Sequence, residues 1–65
     1  MSEESPGQRL RAWRGFLGLT QAALEARSGV SQQMISELEK GGRNPGDDTK
    51  AALRACGFDW DDPPV

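Results

Sequence analysis

Histidine is absent from this chain, and cysteine occurs once, at Cys56. A lone thiol closes no internal disulfide, and without histidine or a second cysteine the sequence offers no metal-ligand cluster. The same gap removes the commonest general base. No serine or cysteine stands beside another plausible base, so no catalytic constellation is recognisable. Long apolar runs are missing too: nothing approaches the length of a membrane span, and the N-terminus has no apolar core of a signal sequence. These absences point to a cytoplasmic binding module, not an enzyme, with no metal, no cofactor and no membrane partner. Cys56 is read as a small buried hydrophobe.

What is present is modest. The 65 residues make one domain, and 35% of them are hydrophobic, which permits a compact helical core but not a large one. A chain of this size buries only about 60% of its unfolded surface, so a partner subunit would add useful stability. Net charge is −2, which at first argues against nucleic acid. The distribution of charge along the chain argues the other way. Residues 8–46 carry six basic side chains against three acidic ones, whereas residues 1–7 carry Glu3 and Glu4 and residues 47–65 carry five aspartates against Lys50 and Arg54. A basic centre lies between acidic ends, and a local basic footprint is what a polyanion meets.

In chain order, residues 1–6 read as a polar, frayed lead-in, with Pro6 suited to the first position of a helix. A first helix follows from Gly7 to about Leu17, its apolar stripe made by Leu10, Trp13 and Leu17, and Gly18 ends it. Trp13 is expected in the core and not as a stacking platform. Phe16 falls off the stripe, to pack at the helix edge or to serve a partner. Thr20 caps a second helix over Gln21–Arg27, Gly29 supplies a left-handed turn, and Ser31 caps a third helix that runs to Lys40 and stops at Gly41 and Gly42. Leu24, Val30, Ile35 and Leu38 face inward. That leaves Gln32, Gln33, Ser36, Glu37 and Lys40 outside, and two adjacent amides on an exposed helical face suggest something to be hydrogen-bonded. Asp47 or Asp48 caps a fourth helix ending near Cys56. Residues 59–65 form an acidic tail, and Phe58 and Trp60 alternate as in a strand.

Thr20-Gln21, Leu24, Gly29-Val30-Ser31, Ile35-Ser36, Leu38-Glu39 and Gly41 together resemble the helix-turn-helix of the phage repressor and Cro (XRE-type) family. The likeness extends through Leu10-Arg11, Trp13-Arg14 and Gly18-Leu19 upstream and Arg43-Asn44-Pro45 downstream, covering about residues 7–58. It implies a small all-α, lambda-repressor-like DNA-binding domain of four helices, with a truncated five-helix fold as the alternative, and the helix-turn-helix at 20–41. It also implies an ion pair between Arg14 and Glu39, and a Gln21 that braces Gln32. Glu25 departs from the pattern, which has a small residue facing the third helix; its carboxylate must reach the edge, find an arginine or force the helices apart. Ala22, Ala23 and Ala26 leave room for the first outcome.

On this reading the third helix enters the major groove of double-stranded DNA. Gln32 and Gln33 match the N6 and N7 edge of adenine, each such pair contributing about 1–3 kcal/mol of discrimination. Ser36 is a further base contact. Glu37 either accepts from cytosine N4, which is taken as its role, or repels phosphate. Gln21, Ser31, Met34, Lys40, Arg43 and Asn44 form the set that follows the backbone; Met34 is also suited to a thymine methyl or to packing. Specific binders need roughly 4–10 kcal/mol of preference over random DNA. One short helix does not supply that easily, whereas two copies about 34 Å apart do. A homodimeric repressor on an inverted repeat is therefore expected. Phe58 and Trp60 either fold back on the core or form the two-fold contact, and the contact is the expectation. Two rival readings stand beside it: the antitoxin half of a toxin–antitoxin pair, whose acidic tail meets a small basic toxin-like protein, and a protein-interaction domain that has lost DNA binding.

Overall fold

The first helix begins on a reciprocal cap. Ser5 Oγ accepts from the Gln8 backbone N–H at 3.2 Å, and Gln8 Oε1 accepts from the Ser5 N–H at 2.9 Å, so two otherwise unpaired donors are satisfied at once. With Pro6 in the first helical position, α1 spans Pro6–Phe16. A computed structural model describes residues 5–61 of the chain. Ser5 and Pro6, expected within a frayed lead-in over residues 1–6, instead cap and begin α1; residues 1–4 lie outside the described residues. Three more helices follow, α2 over Gln21–Ser28, α3 over Gln32–Lys40 and α4 over Asp47–Ala55. This is the expected small all-α fold. No helix among the described residues is long and apolar enough to cross a membrane.

The turn between α2 and α3 is built as the residues suggest. Thr20 Oγ1 accepts from the Ala23 N–H and Ser31 Oγ from the Met34 N–H, at 3.0 and 3.1 Å. Gly29 takes φ 79°, a left-handed conformation that costs other residues about 1 kcal/mol or more. Ser28 tightens the corner, donating its hydroxyl to the Leu24 carbonyl at 2.8 Å and accepting from the Val30 N–H at 3.1 Å. The start of α4 differs from expectation. Gly46 occupies its cap position with no side-chain bond, and Asp47 and Asp48 sit in the first turn, where negative charge meets the positive end of the helix dipole.

Leu10, Leu24, Val30, Ile35, Leu38, Leu53, Phe58 and Trp60 make the core, with Trp13, Leu19, Met34 and Ala52 packed against it. Phe58 and Trp60 are thus not a two-fold contact. Gly57, at φ 108°, reverses the chain after α4, and the two rings turn inward. Phe58 lies 5.4 Å from Trp13 and 6.4 Å from Trp60, centroid to centroid. The Arg9 guanidinium covers Phe58 at 5.7 Å and donates to the Trp60 carbonyl at 2.8 Å. Alternation here reflects a folded-back turn; no strand is present among the described residues.

Leu17 also departs from its expected place. The N–H of Leu19 bonds the Arg14 carbonyl and that of Gly18 bonds the Gly15 carbonyl, both at 3.0 Å, a Schellman turn in which the residue after the glycine packs inward. Leu19 fills that role, and Leu17 is left 45% exposed beside Phe16 at 88%. One tight approach has no signal in the sequence: a Cβ at Gly7 would run into the Leu38 carbonyl oxygen, with the Glu39 carbonyl 3.2 Å away. The start of α1 therefore crosses the end of α3 backbone to backbone.

Candidate nucleic-acid interface

Because Ile35 and Leu38 are fully buried, the opposite side of α3 is obliged to face out. Gln32 and Gln33 are exposed in its first turn, with Ser36 and Glu37 half-buried behind them. Together with Gln21 and Lys40 they line one shallow concavity of about 540 Å³. The structure thus gathers all four residues expected to meet bases, plus two of those expected to meet the backbone, on a single surface.

The third helix is anchored from beneath by an ion pair. Arg14 donates from Nε to Glu39 Oε2 at 2.7 Å and from Nη2 to Glu39 Oε1 at 3.0 Å, the fork-to-carboxylate geometry that gives the strongest pairs. Its Nη1 donates to the Leu19 carbonyl at 2.8 Å. The two side chains are only 16% and 5% exposed. The hydrogen bond to Glu39, helped by its charge, raises the Arg14 pKa above the ordinary arginine value, while burial works against it. Gln21 joins this network. Its Nε2 donates to Glu39 Oε1 at 3.1 Å, so the bond expected to brace Gln32 goes to Glu39 instead, and the start of α2 is tied to the end of α3.

The remaining backbone-facing candidates divide. Lys40, Arg43, Asn44 and Ser31 are exposed, although the Ser31 hydroxyl already accepts as a helix cap. Met34 is half-buried and packed against the core, as in the packing alternative expected for it. Arg43 is held by Glu37, Nε to Oε2 at 3.4 Å, and rests against Met34 Sδ at 3.8 Å. Glu25 reaches solvent, the edge solution that its alanine neighbours allow, and the helix-turn-helix closes around it. In the acidic tail, Asp59 pairs with Arg54 at 3.6 Å and Asp61 with Lys50 at 3.1 Å; residues 62–65 lie outside the described residues.

Arg11 is the residue that sequence reasoning missed. It is exposed on α1 and lines a second concavity of about 300 Å³ with Arg14, Gln21, Ser36, Glu39 and Lys40. The signal was available: Arg11 lies one turn before Arg14 on the same helical face, so anything that places Arg14 under α3 places Arg11 at its flank. Two cations, Arg11 and Lys40, therefore border the amide-bearing surface.

A helical pair with a glycine corner, a core-anchored third helix and amides aimed outward defines a class, and likeness to known proteins agrees. The chain belongs to the helix-turn-helix domain family, of the XRE-like kind, whose profile matches residues 7–63. It is similar to the uncharacterized HTH-type transcriptional regulator y4dJ of Sinorhizobium fredii, 68% identical over 28 residues, which is 43% of this chain and 36% of that protein. It also resembles an uncharacterized HTH-type transcriptional regulator of Archaeoglobus fulgidus, 40% identical over 43 residues, 66% of this chain and 19% of that protein. The matches thus span little more than a third of the first relative's length and a fifth of the second's. No solved structure matches the chain.

Proposed function

We propose that this chain reads double-stranded DNA in transcription regulation, laying the first turn of α3 in the major groove. One observation carries the reading: Gln32 and Gln33 stand exposed at the front of a helix whose other side is locked into the core, with Arg11 and Lys40 flanking them. The amides supply base-edge recognition, and the cations, with Gln21, supply the sequence-independent hold on phosphate. The names of the two relatives, both HTH-type transcriptional regulators, point the same way.

Two copies on an inverted repeat extend the reading from one short helix to the discrimination that regulators need. With Phe58 and Trp60 inside the core, the large apolar groups left for a self-contact among the described residues are Phe16 and Leu17. A groove of about 340 Å³ lined by Trp13, Leu17, Leu19, Arg27, Ala55 and Cys56 opens beside them. Each copy then brings both a projecting ring and a recess, as a closed two-fold contact requires. The groove shares no lining residue with the α3 concavity, so both reading helices stay free. Bound across a promoter, such a pair acts by exclusion, as a repressor.

Selection of bound sequences from a random duplex library tests the proposal. Wild type is expected to enrich a repeated half-site with A·T pairs under the two glutamines. Gln33→Ala is expected to relax preference at one base pair per half-site, by about 1–3 kcal/mol, whereas Arg11→Ala weakens all sequences alike. Absence of any enrichment, or of salt-sensitive duplex binding, overturns the reading.

A further inference from the structure

Glu37 puts a negative charge on a surface meant for a polyanion, and its contacts in the DNA-free chain form a relay. Gln33 Nε2 donates to Glu37 Oε1 at 3.5 Å, Glu37 Oε2 pairs with Arg43 Nε at 3.4 Å, and Arg43 Nη1 rests on Met34 Sδ at 3.8 Å. A base-reading amide is thereby linked through a carboxylate to a phosphate-seeking guanidinium in the loop after α3.

We propose that Glu37 is an internal stand-in for phosphate, holding Arg43 back from the DNA backbone until a cytosine N4 amino group takes up the carboxylate. The inference rests on the DNA-reading role proposed above. On a duplex with no donor beneath Glu37, two arrangements exist and both are poor. If the pair stays closed, one cationic contact with the backbone is forgone. If it opens, a bare carboxylate is left between two rows of phosphates. Where cytosine presents its N4–H₂ group, the carboxylate has a partner in the groove, and Arg43 is released to make a charge-assisted bond to phosphate.

The pair is partly exposed, with side chains 53% and 37% accessible, and such pairs are weak in water. Docking in the groove displaces that water and strengthens every charge interaction at the site. The relay therefore matters most at the moment of recognition. It lowers affinity for wrong sequence more than for right sequence, which is how a repulsive element creates specificity.

The test is a double-mutant cycle read by salt titration, using wild type, Glu37→Gln, Arg43→Ala and the double variant on random-sequence and selected duplexes. On random duplex, Glu37→Gln is expected to steepen the slope of log affinity against log salt by about 0.9, one added phosphate contact, so that its affinity falls roughly three- to fourfold more between about 50 and 200 mM salt. Its preference for cytosine at one position per half-site disappears. In the Arg43→Ala background the same substitution leaves the slope unchanged. An equal change of slope in both backgrounds makes Glu37 an independent repulsive charge and overturns the relay, as does a Glu37→Gln variant with wild-type slope and base preference. Wild type without salt-dependent duplex binding overturns the DNA reading itself, a result distinct from either.

Discussion

Glu39 accepts from three side-chain donors, two on Arg14 and one on Gln21, and it is the residue on which the orientation of α3 turns. Removing it leaves a guanidinium only 16% exposed with the Leu19 carbonyl as its sole remaining partner in this network. Breaking a buried pair from one side costs about 3–5 kcal/mol; with Arg14 partly wetted, Glu39→Ala is expected to cost about 2–3 kcal/mol, and at roughly 4–8 °C per kcal/mol a thermal melt reads this as a fall of about 8–24 °C. A midpoint near that of wild type refutes the anchor. The pH dependence has a definite sign. Because pairing raises the Arg14 pKa, the arginine's share of the stability is complete below the ordinary arginine range and is lost only as pH climbs through the folded-state value. Pairing of Arg14 with Glu39 was legible through family likeness, and the outward glutamines through helical periodicity. The Glu37–Arg43 contact was not, because Arg43 lies in a loop whose path no periodicity describes.

Helix α1 contains two glycines with opposite duties. Gly7 lies where α1 touches the α3 backbone, and an added Cβ meets the Leu38 carbonyl, whereas a Cβ at Gly15 has nothing within 4 Å. Gly7→Ala is therefore expected to destabilise by about 1–3 kcal/mol through overpacking, and Gly15→Ala to stabilise by about 0.5–1 kcal/mol by removing backbone freedom from the unfolded chain. Denaturant midpoints of the two variants moving in the same direction contradict this crossing. Helix limits were readable because caps are local: Thr20 and Ser31 act within three residues of themselves. Gly7 was not, since its neighbour is 31 positions away along the chain. The end of α1 misled for the related reason that a 3.6-residue period was carried past Phe16, into a turn that hands the inward position from Leu17 to Leu19.

At the scale of the whole molecule, the surface proposed to read DNA and the large apolar side chains exposed among the described residues lie on separate patches. Phe16, 88% exposed, contributes little to the fold of a single copy, so Phe16→Ser is expected to leave the stability of dilute protein within about 0.5 kcal/mol of wild type while shifting sedimentation equilibrium toward monomer. An unchanged self-association constant removes this face from the proposed pair. The basic centre was legible because the central cations are already separated along the chain from the acidic ends. The inward return of Phe58 and Trp60 was not, since only the left-handed turn at Gly57 decides which way they point. That reversal has an optical consequence. Both indoles of the chain flank one phenylalanine under α1, remote in sequence from the amides of α3, so intrinsic fluorescence reports the seating of residues 58–60 without an attached dye.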